Sequence, residues 1–249
     1  MKLATLPILV ALALPIIAGP IVDSPAPRAL SPERIGWIRE MLANGTEDAG
    51  LTKRSTTFST SRDGVDSAGF YYSLYNANGA EVGYTESPAT GQFQLGWSTN
   101  SKEAEFLGGK GFRGGNPRSL TWNGYFTAEG DWTLAVYGWT TNPVTEWYIV
   151  ESHGTGTPGN GHILGQVYSD GGVYDVYSLP YRNVPKIYGV TNFNQLWSVR
   201  RTPRTTGTVD VRAHFRRWKE LGLVPGNPVF QMVTLEGFKG RGYVDFTVA

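Results

Sequence analysis

The amino-acid sequence predicts an all-β fold, arranged as an antiparallel sandwich or as a strongly curved pair of sheets. From residue 69 onward, short runs of β-branched and aromatic residues are separated by turn residues, and the first run, 69–75, stops at Asn-Ala-Asn-Gly, 76–79. The composition agrees, with 32 Gly, 13 Tyr and 8 Trp among 249 residues. The chain shows neither strand–helix alternation nor an internal repeat, which argues against an α/β fold.

Charge and cysteine content exclude several functional classes. The 22 Lys and Arg residues nearly balance the 21 Asp and Glu residues, so the net charge is +1. We therefore expect neither a nucleic-acid binder nor a protein that binds anionic membranes, since both need clustered basic surface. The chain has no cysteine, which excludes a disulfide scaffold, a thiol nucleophile and a metal held by cysteine.

Residues 1–19 have the pattern of a secretory signal peptide. Lys2 precedes the almost entirely apolar stretch 3–17, which is too short to span a bilayer and is followed by the small residues Ala18 and Gly19. A buried N-terminal strand is the alternative. No later segment approaches the ~20 apolar residues of a membrane helix. The sequence therefore predicts a secreted, extracellular protein.

Residues 20–54 are predicted to form a propeptide that contains a helix. The segment 31–33, Ser-Pro-Glu, supplies an N-cap, a proline at the first helical position and an acidic first turn. Apolar residues follow at helical spacing: Ile35, Ile38 and Leu42. A glycosylation sequon begins at Asn44, and the Lys53-Arg54 pair indicates cleavage by a processing protease. A chance pair of basic residues is the alternative; with cleavage, the mature domain is 55–249.

One segment of the mature domain has helical periodicity. Apolar residues repeat at helical intervals between Asp210 and Gly222: Val211, Phe215, Trp218 and Leu221. Asp210 or Thr208 can cap this helix and Gly222 can end it. We therefore predict one amphipathic helix packed against a sheet, with its basic face in solvent.

Several common catalytic motifs find no support in the sequence. His153, His162 and His214 lack metal-like spacing and are not next to a nucleophile motif. The glycine-rich stretch 108–111 lacks the spacing of a phosphate-binding loop. We expect no metal, no cofactor and no obligate oligomer, and hence a monomer.

Two predicted strands each carry a glutamate among apolar or aromatic residues. In the strand 144–150, period-two alternation places Glu146 and Tyr148 on one face. In the segment 230–238, Glu236 shares a face with Phe230. A carboxylate in such surroundings is costly unless it is hydrated, paired or functional. Two carboxylates across a groove would suit glycosidase chemistry, whereas two solvent-facing glutamates are the alternative.

Seven motifs follow one another along the mature domain: Gly-Gly-Lys-Gly-Phe (108–112), Val-Tyr-Gly-Trp (136–139), Asn-Pro-Val-Thr-Glu-Trp-Tyr-Ile-Val-Glu (142–151), Ser-Asp-Gly-Gly-Val-Tyr-Asp-Val-Tyr (169–177), Phe-Asn-Gln-Leu-Trp-Ser-Val-Arg-Arg (193–201), His-Phe-Arg-Arg-Trp (214–218) and Thr-Leu-Glu-Gly-Phe (234–238). In this order they resemble the endo-1,4-β-xylanases of glycoside hydrolase family 11, and the Lys53-Arg54 site resembles that of fungal secreted members. The resemblance covers about 69–248. It implies a β-jelly roll of two curved antiparallel sheets with one α-helix packed on the outside.

The resemblance implies that Glu146 is the nucleophile and Glu236 the acid/base of a retaining reaction on xylan or xylo-oligosaccharides. In such a reaction two carboxyls lie about 5–5.5 Å apart: one attacks the anomeric carbon while the other protonates the leaving oxygen. The ionised nucleophile raises the pKa of the acid, and its neutralisation in the glycosyl-enzyme lets the acid act as a base.

The resemblance also implies a substrate cleft. Four residues match positions that line it: Tyr137, Tyr148, Trp139 and Gln195. The segment 183–189 matches the thumb loop, whose Pro185 and Ile187 would lie over the xylan.

Several positions depart from the family pattern: Tyr75 in place of a stacking Trp, Glu105 in place of Asn or Asp, Tyr181 in place of Arg, Phe230 in place of Tyr, and 239–242 in place of a small polar run. Tyr75 reduces the stacking area offered to a sugar. If Glu105 contacts Glu236, the two carboxyls share a proton, and we expect an acidic pH optimum that Glu105→Asn raises.

Three functions are compatible with these features. An active endo-1,4-β-xylanase agrees with the motifs and with both glutamates. The departures in the cleft instead allow a weak or inactive relative that binds glycan or acts at a host plant surface. A cellulase-like specificity is the third reading, and Pro185 and Ile187 argue against it.

Overall fold

The computed structural model describes residues 31–43, 55–159, 161–183 and 190–249. The elements in these ranges are, in chain order, α1 (Pro32–Ala43), β1 (Thr56–Phe58), β2 (Arg62–Val65), β3 (Tyr71–Ala77), β4 (Glu81–Glu86), β5 (Gln92–Thr99), β6 (Glu105–Arg113), β7 (Ser119–Thr141), β8 (Thr145–His153), β9 (Gly165–Ser169), β10 (Gly172–Tyr181), β11 (Phe193–Arg200), β12 (Gly207–Asp210), α2 (Val211–Glu220) and β13 (Asn227–Val248). Four features predicted from the sequence lie outside the described residues: the signal peptide, Asn44, the Lys53-Arg54 pair, and the thumb residues Pro185 and Ile187. Neither described helix is long and apolar enough to cross a membrane.

Two very long strands, β7 and β13, run through both layers of the fold. Their segments 122–130 and 240–248 pair with each other, and the sheet continues through β5, β4 and β1. Their segments 132–141 and 227–237 pair in the second layer, which we call the cleft layer. From there the sheet continues to β6, β3 and β2 on one side and to β8, β11, β10 and β9 on the other. This arrangement confirms the predicted jelly roll.

The long strands pass from one layer to the other at glycines. The register between them shifts from Gly237 to Gly240, and Gly130 opposite has a φ of +92°. A Cβ at Gly130 would lie 2.4 Å from the Lys239 carbonyl oxygen, so only glycine permits this approach. Glu236 lies immediately before the irregularity.

The main core lies between the two layers. Trp147 and Ile149 of β8 and Val233 and Leu235 of β13 are fully buried in it, each stabilising the fold by ~1.5–3 kcal/mol. Because strand side chains alternate between faces, the residues that alternate with them, such as Glu146 and Tyr148, lie on the opposite face of the cleft layer.

Helix α2 packs against the core face of β8 and β11. Its capping residue Asp210 accepts a hydrogen bond from the Arg212 amide. The ring of Phe215 meets Trp147 edge-on at 5.3 Å, and Trp218 Nε1 donates to Ser198 Oγ at 3.0 Å. The predicted amphipathic helix is confirmed.

Helix α1 packs on the other face of the cleft layer. Ser31 Oγ accepts from the Arg34 amide at 3.1 Å, as an N-cap does. Ile35, Trp37 and Ile38 are buried in a second apolar cluster with residues of β3, β7, β8 and β13. The helix predicted within the propeptide is therefore present, and it is docked.

The strand pattern differs from the sequence prediction in two respects. The residue pattern of 229–235 and 243–248 is that of two separate strands, but the two segments form one strand because the glycines between them bend the chain without a turn. The sequence predicts antiparallel pairing throughout, whereas β8 and β11 pair in parallel.

Candidate active site

Three carboxylates lie on the cleft layer, on the face opposite the core. They belong to Glu105 at the start of β6, Glu146 in β8 and Glu236 in β13, and their side chains are 9%, 0% and 8% exposed. Burying three carboxylates among aromatic residues is costly without compensating partners. The cluster is therefore the natural candidate for a functional site.

Strand register brings the site together. Glu146 is the register partner of Trp139 in β7 and, through the parallel pair, of Gln195 in β11. Glu236 is paired with Leu107, two residues after Glu105 on β6. Strands distant in sequence thus present their polar side chains at one place.

Four donors hold the Glu146 carboxylate. Gln195 Nε2 donates to Oε2 at 2.5 Å, while Tyr137 Oη and Tyr148 Oη donate to Oε1 at 2.9 and 3.2 Å. Arg34 Nη2 is the fourth donor, at 3.0 Å from Oε1. An ionised carboxylate only accepts hydrogen bonds, so this environment suits an anionic, precisely oriented side chain.

The two tyrosines remain donors because they cannot easily ionise. Burial raises the pKa of Tyr137 and that of Tyr148 well above the ordinary value of a tyrosine, and the negative charge of Glu146 raises both pKa values further. Trp139 Nε1 donates to Tyr137 Oη at 2.6 Å and fixes its orientation. The tyrosine hydroxyls therefore point at Glu146 as neutral donors.

Glu236 has the opposite character. Burial raises the pKa of Glu236 to about 7, and the negative charges of Glu105 and Glu146 add to the rise, while Arg34 opposes it. Such a carboxyl group can be protonated near neutral pH, as a general acid must be. Glu236 is therefore suited to hold a proton, whereas Glu146 is surrounded by hydrogen-bond donors.

Glu105 and Glu236 meet through Arg34. The Nη1 atom of Arg34 donates to Glu236 Oε1 at 2.7 Å and also bonds to Glu105 Oε1. The sequence predicts that Glu105 influences the pKa of Glu236. The two carboxylates lie on opposite sides of one guanidinium group, and the negative charge of Glu105 raises the pKa of Glu236.

Aromatic rings form the walls around the carboxylates. Tyr148 stacks on Trp197, with ring centroids 4.0 Å apart and planes at 3°. Phe193 lies between Trp139 at 5.1 Å and Tyr181 at 5.0 Å. Flat rings of this kind present broad apolar faces to which the faces of a sugar can pack.

Two positions that depart from the family pattern lie in the same walls. Tyr75 packs against Trp37 of α1 at 5.2 Å, and its hydroxyl lies 3.1 Å from Ser31 Oγ. Phe230 packs against Tyr137 at 5.7 Å. Both rings lie in the walls of the cleft.

The structure gathers most of the site residues predicted from the sequence. Eight of them meet on this face: Tyr75, Glu105, Tyr137, Trp139, Glu146, Tyr148, Gln195 and Glu236. Sequence reasoning missed Trp197, although it lies two residues after Gln195 and so shares its face. It also missed Arg34, whose only signal is a charge four residues before Ile38 on a helix with an apolar stripe.

Comparisons with known proteins show the family of the chain. The model of glycosyl hydrolases family 11 matches residues 67–247, which include β7, all but the last residue of β13, and all three glutamates. The chain belongs to glycosyl hydrolase family 11. Helix α1 lies before the matched segment.

Three similar proteins align with the chain along most of their length. The ethylene-inducing xylanase 1 of Verticillium dahliae is 42% identical over 184 residues, which cover 74% of this chain and 81% of the relative. The endo-1,4-beta-xylanase 11A of Botryotinia fuckeliana is 40% identical over 185 residues, covering 74% and 80%. A solved endo-1,4-beta-xylanase structure from Trichoderma reesei has 34% identity and a TM-score of 0.63, covering 78% of this chain and 99% of its own.

Proposed function

We propose that the protein is a secreted, retaining endo-1,4-β-xylanase in which Glu146 is the nucleophile and Glu236 the acid/base. The observation that carries the proposal is the contrast between the two carboxylates. Glu146 accepts three hydrogen bonds from residues of the mature domain, whereas burial raises the pKa of Glu236 to about 7. This contrast is what a double displacement needs, since one group attacks as an anion and the other delivers a proton.

The reaction proceeds in two steps. Glu146 attacks the anomeric carbon of a xylosyl unit while Glu236 protonates the departing glycosidic oxygen, giving a glycosyl-enzyme. Esterification removes the negative charge from Glu146, so the pKa of Glu236 falls and its carboxylate can deprotonate water. Attack of that water on the anomeric carbon releases the sugar with retained configuration and restores both carboxyls.

The proposal includes export and processing of the chain. Residues 1–19 act as the signal peptide, and 20–54 are a propeptide removed after Lys53-Arg54. The segment matched by the family model, 67–247, lies entirely within the mature domain 55–249.

The direct test is the release of reducing ends from beechwood xylan between pH 3 and 8. The chain is first incubated with an endoprotease specific for paired basic residues, and Glu146→Ala and Glu236→Gln variants are treated in the same way. We expect activity in the parent and near-complete loss in both variants. Full activity of Glu236→Gln would contradict the assignment of the acid, and equal rates on carboxymethylcellulose would contradict the substrate.

A second candidate is a glycan-binding protein without hydrolysis. It is favoured by the departures at Tyr75, Tyr181 and Phe230, all of which lie in the cleft walls. Xylan binding that persists without hydrolysis, and is unaffected by changes at Glu146 or Glu236, would support this candidate over the enzyme.

A further inference from the structure

Arg34 of helix α1 occupies the centre of the candidate active site. One guanidinium bridges the nucleophile and the acid/base, with Nη2 3.0 Å from Glu146 Oε1 and Nη1 2.7 Å from Glu236 Oε1. Nη1 also pairs with Glu105, and Nη2 donates to Tyr148 Oη at 2.8 Å. The Arg34 side chain is only 6% exposed. Its charge is therefore buried, and the groups that balance it belong to the cleft.

The rest of the helix covers the cleft walls. Trp37 packs against Tyr75, the ring expected to support a sugar, and Ser31 lies within hydrogen-bonding distance of the same tyrosine. Ile35 and Ile38 are 3% and 0% exposed within the apolar cluster of the cleft layer. A xylan chain could not reach either carboxylate while these contacts persist.

The guanidinium of Arg34 lies where positive charge develops in the transition state of glycoside hydrolysis. Glycoside hydrolysis passes through an oxocarbenium-like transition state, whose positive charge develops between the nucleophile and the acid. The guanidinium places a permanent positive charge between the same two groups. Groups arranged to stabilise the transition state will therefore also favour Arg34.

We propose that α1 is an autoinhibitory element, a segment of the propeptide that fills the xylan cleft through Arg34 and Trp37 and keeps the unprocessed protein inactive. This inference rests on the proposed xylanase function. The inhibitor is part of the chain, so it competes with substrate at the high effective concentration of an intramolecular ligand.

Proteolytic processing removes the high effective concentration of the helix. Hydrolysis of the peptide bond between Arg54 and Ser55 by the endoprotease leaves a carboxylate on Arg54 and an amino group on Ser55. The helix then binds only as a separate peptide, and it dissociates when the protein is diluted. Release of inhibition is therefore coupled to the cleavage.

The test uses the unprocessed chain, made in a yeast host that lacks its dibasic-specific endoprotease. The kcat/KM for xylohexaose is compared among the parent, Arg34→Ala and Arg39→Ala, the last being a matched change at an exposed arginine of the same helix. We expect Arg34→Ala to raise kcat/KM about tenfold or more, and Arg39→Ala to leave it near the parent value. Purified endoprotease should activate the parent at least as strongly, but not an Arg54→Ala variant.

The outcomes separate this inference from the proposed function. A parent as active as both Arg34→Ala and the processed chain overturns the autoinhibition and leaves the xylanase intact. If no form hydrolyses xylan, the proposed function fails, and with it the inhibitory role of the helix. Whether α1 docks in the cleft can still be tested in that case, by measuring hydrogen exchange of the backbone amides in 35–43.

Hydrogen exchange does not depend on catalysis. We expect slow exchange in the parent and in Arg39→Ala, and at least tenfold faster exchange in Arg34→Ala and after processing. Rapid exchange of these amides in the parent would show that α1 does not dock, and would overturn the inference. Near-ultraviolet circular dichroism of each variant verifies that the jelly roll itself remains folded.

Discussion

Gln195 and Glu146 are register partners in the parallel β8–β11 pair, and the Gln195 amide nitrogen lies 2.5 Å from Glu146 Oε2. This bond acts on the oxygen that neither tyrosine reaches, so it fixes the rotation of the carboxylate about its axis. The Gln195 amide is held in turn by Trp197 Nε1, which donates to its oxygen at 3.3 Å. Among the described strands, the one parallel pair in an otherwise antiparallel sheet thus orients the proposed nucleophile.

Replacing Gln195 with Leu should lower kcat by about 10–100-fold, because a hydrogen bond to a charged group contributes ~1.5–3 kcal/mol. Steady-state kinetics on xylohexaose with processed chain would measure this. Gln94→Leu is the matched control, since Gln94 Nε2 donates to Asp245 at 2.9 Å away from the site. A change confined to KM would show that Gln195 serves binding and not the orientation of Glu146.

Glu105 should control the alkaline limb of the pH–activity profile. Glu236 must be protonated to act as an acid, so kcat/KM falls as the pH rises through the pKa of Glu236. The charge on Glu105 raises that pKa, and removing the charge lowers it. The alkaline limb of Glu105→Gln should therefore move to lower pH.

This direction is opposite to the expectation from the sequence, in which Glu105→Asn raises the optimum. That expectation treats Glu105 as sharing a proton with Glu236, whereas in the structure the two carboxylates face a common guanidinium. The profile is best measured in an Arg34→Ala background, with exposed Glu103→Gln as the control. An upward shift of the alkaline limb would favour proton sharing.

Much of the site followed from local sequence pattern. Period-two alternation was enough to separate Glu146 from Trp147, because one face of β8 packs into the core and the other does not. The resemblance carried by the ordered motifs implies the jelly roll and places Tyr137, Tyr148 and Gln195 in the cleft, but it does not give their hydrogen bonds to Glu146. The helical spacing of Ile35 and Ile38 predicted α1 itself.

The location of α1 could not be derived in the same way. Arg34 meets Glu236 across 202 positions of sequence, and no local rule links a helix to a cleft so distant in the chain. The continuity of β13 was missed for a related reason. Glycines at 237, 240 and 242 look like a turn in sequence, and only the neighbouring strands convert them into a bend.

Tyr75 should limit the affinity for xylan in the processed chain. It lies in the cleft wall where the family pattern has a tryptophan, and its ring offers less area for stacking. Tyr75→Trp should lower KM for xylohexaose by about 2–10-fold, corresponding to the ~0.5–1.5 kcal/mol of an aromatic contact. Tyr125→Trp, at an exposed tyrosine of β7, is the matched control, and an unchanged KM in Tyr75→Trp would show that this wall does not touch the sugar.

Lys110 should be essential for stability, although it takes no part in the proposed chemistry. Its Nζ is buried between Asp66, at 2.9 Å, and Glu86. Burial raises the pKa of Glu86 to about 7, and Lys110 opposes that rise. Removing the cation would leave two carboxylates facing each other inside the protein.

Lys110→Met should therefore lower the free energy of unfolding by about 3–5 kcal/mol, the usual cost of breaking a buried ion pair from one side. Adding Glu86→Gln should recover part of the loss, because it removes a carboxyl that without Lys110 must either stay charged and unpaired or take up a proton. Urea unfolding at pH 7.5 measures both variants, with Lys102→Met as a control at an exposed lysine. A loss below about 1 kcal/mol, which is typical of an exposed pair, would mean that solvent already reaches this cluster.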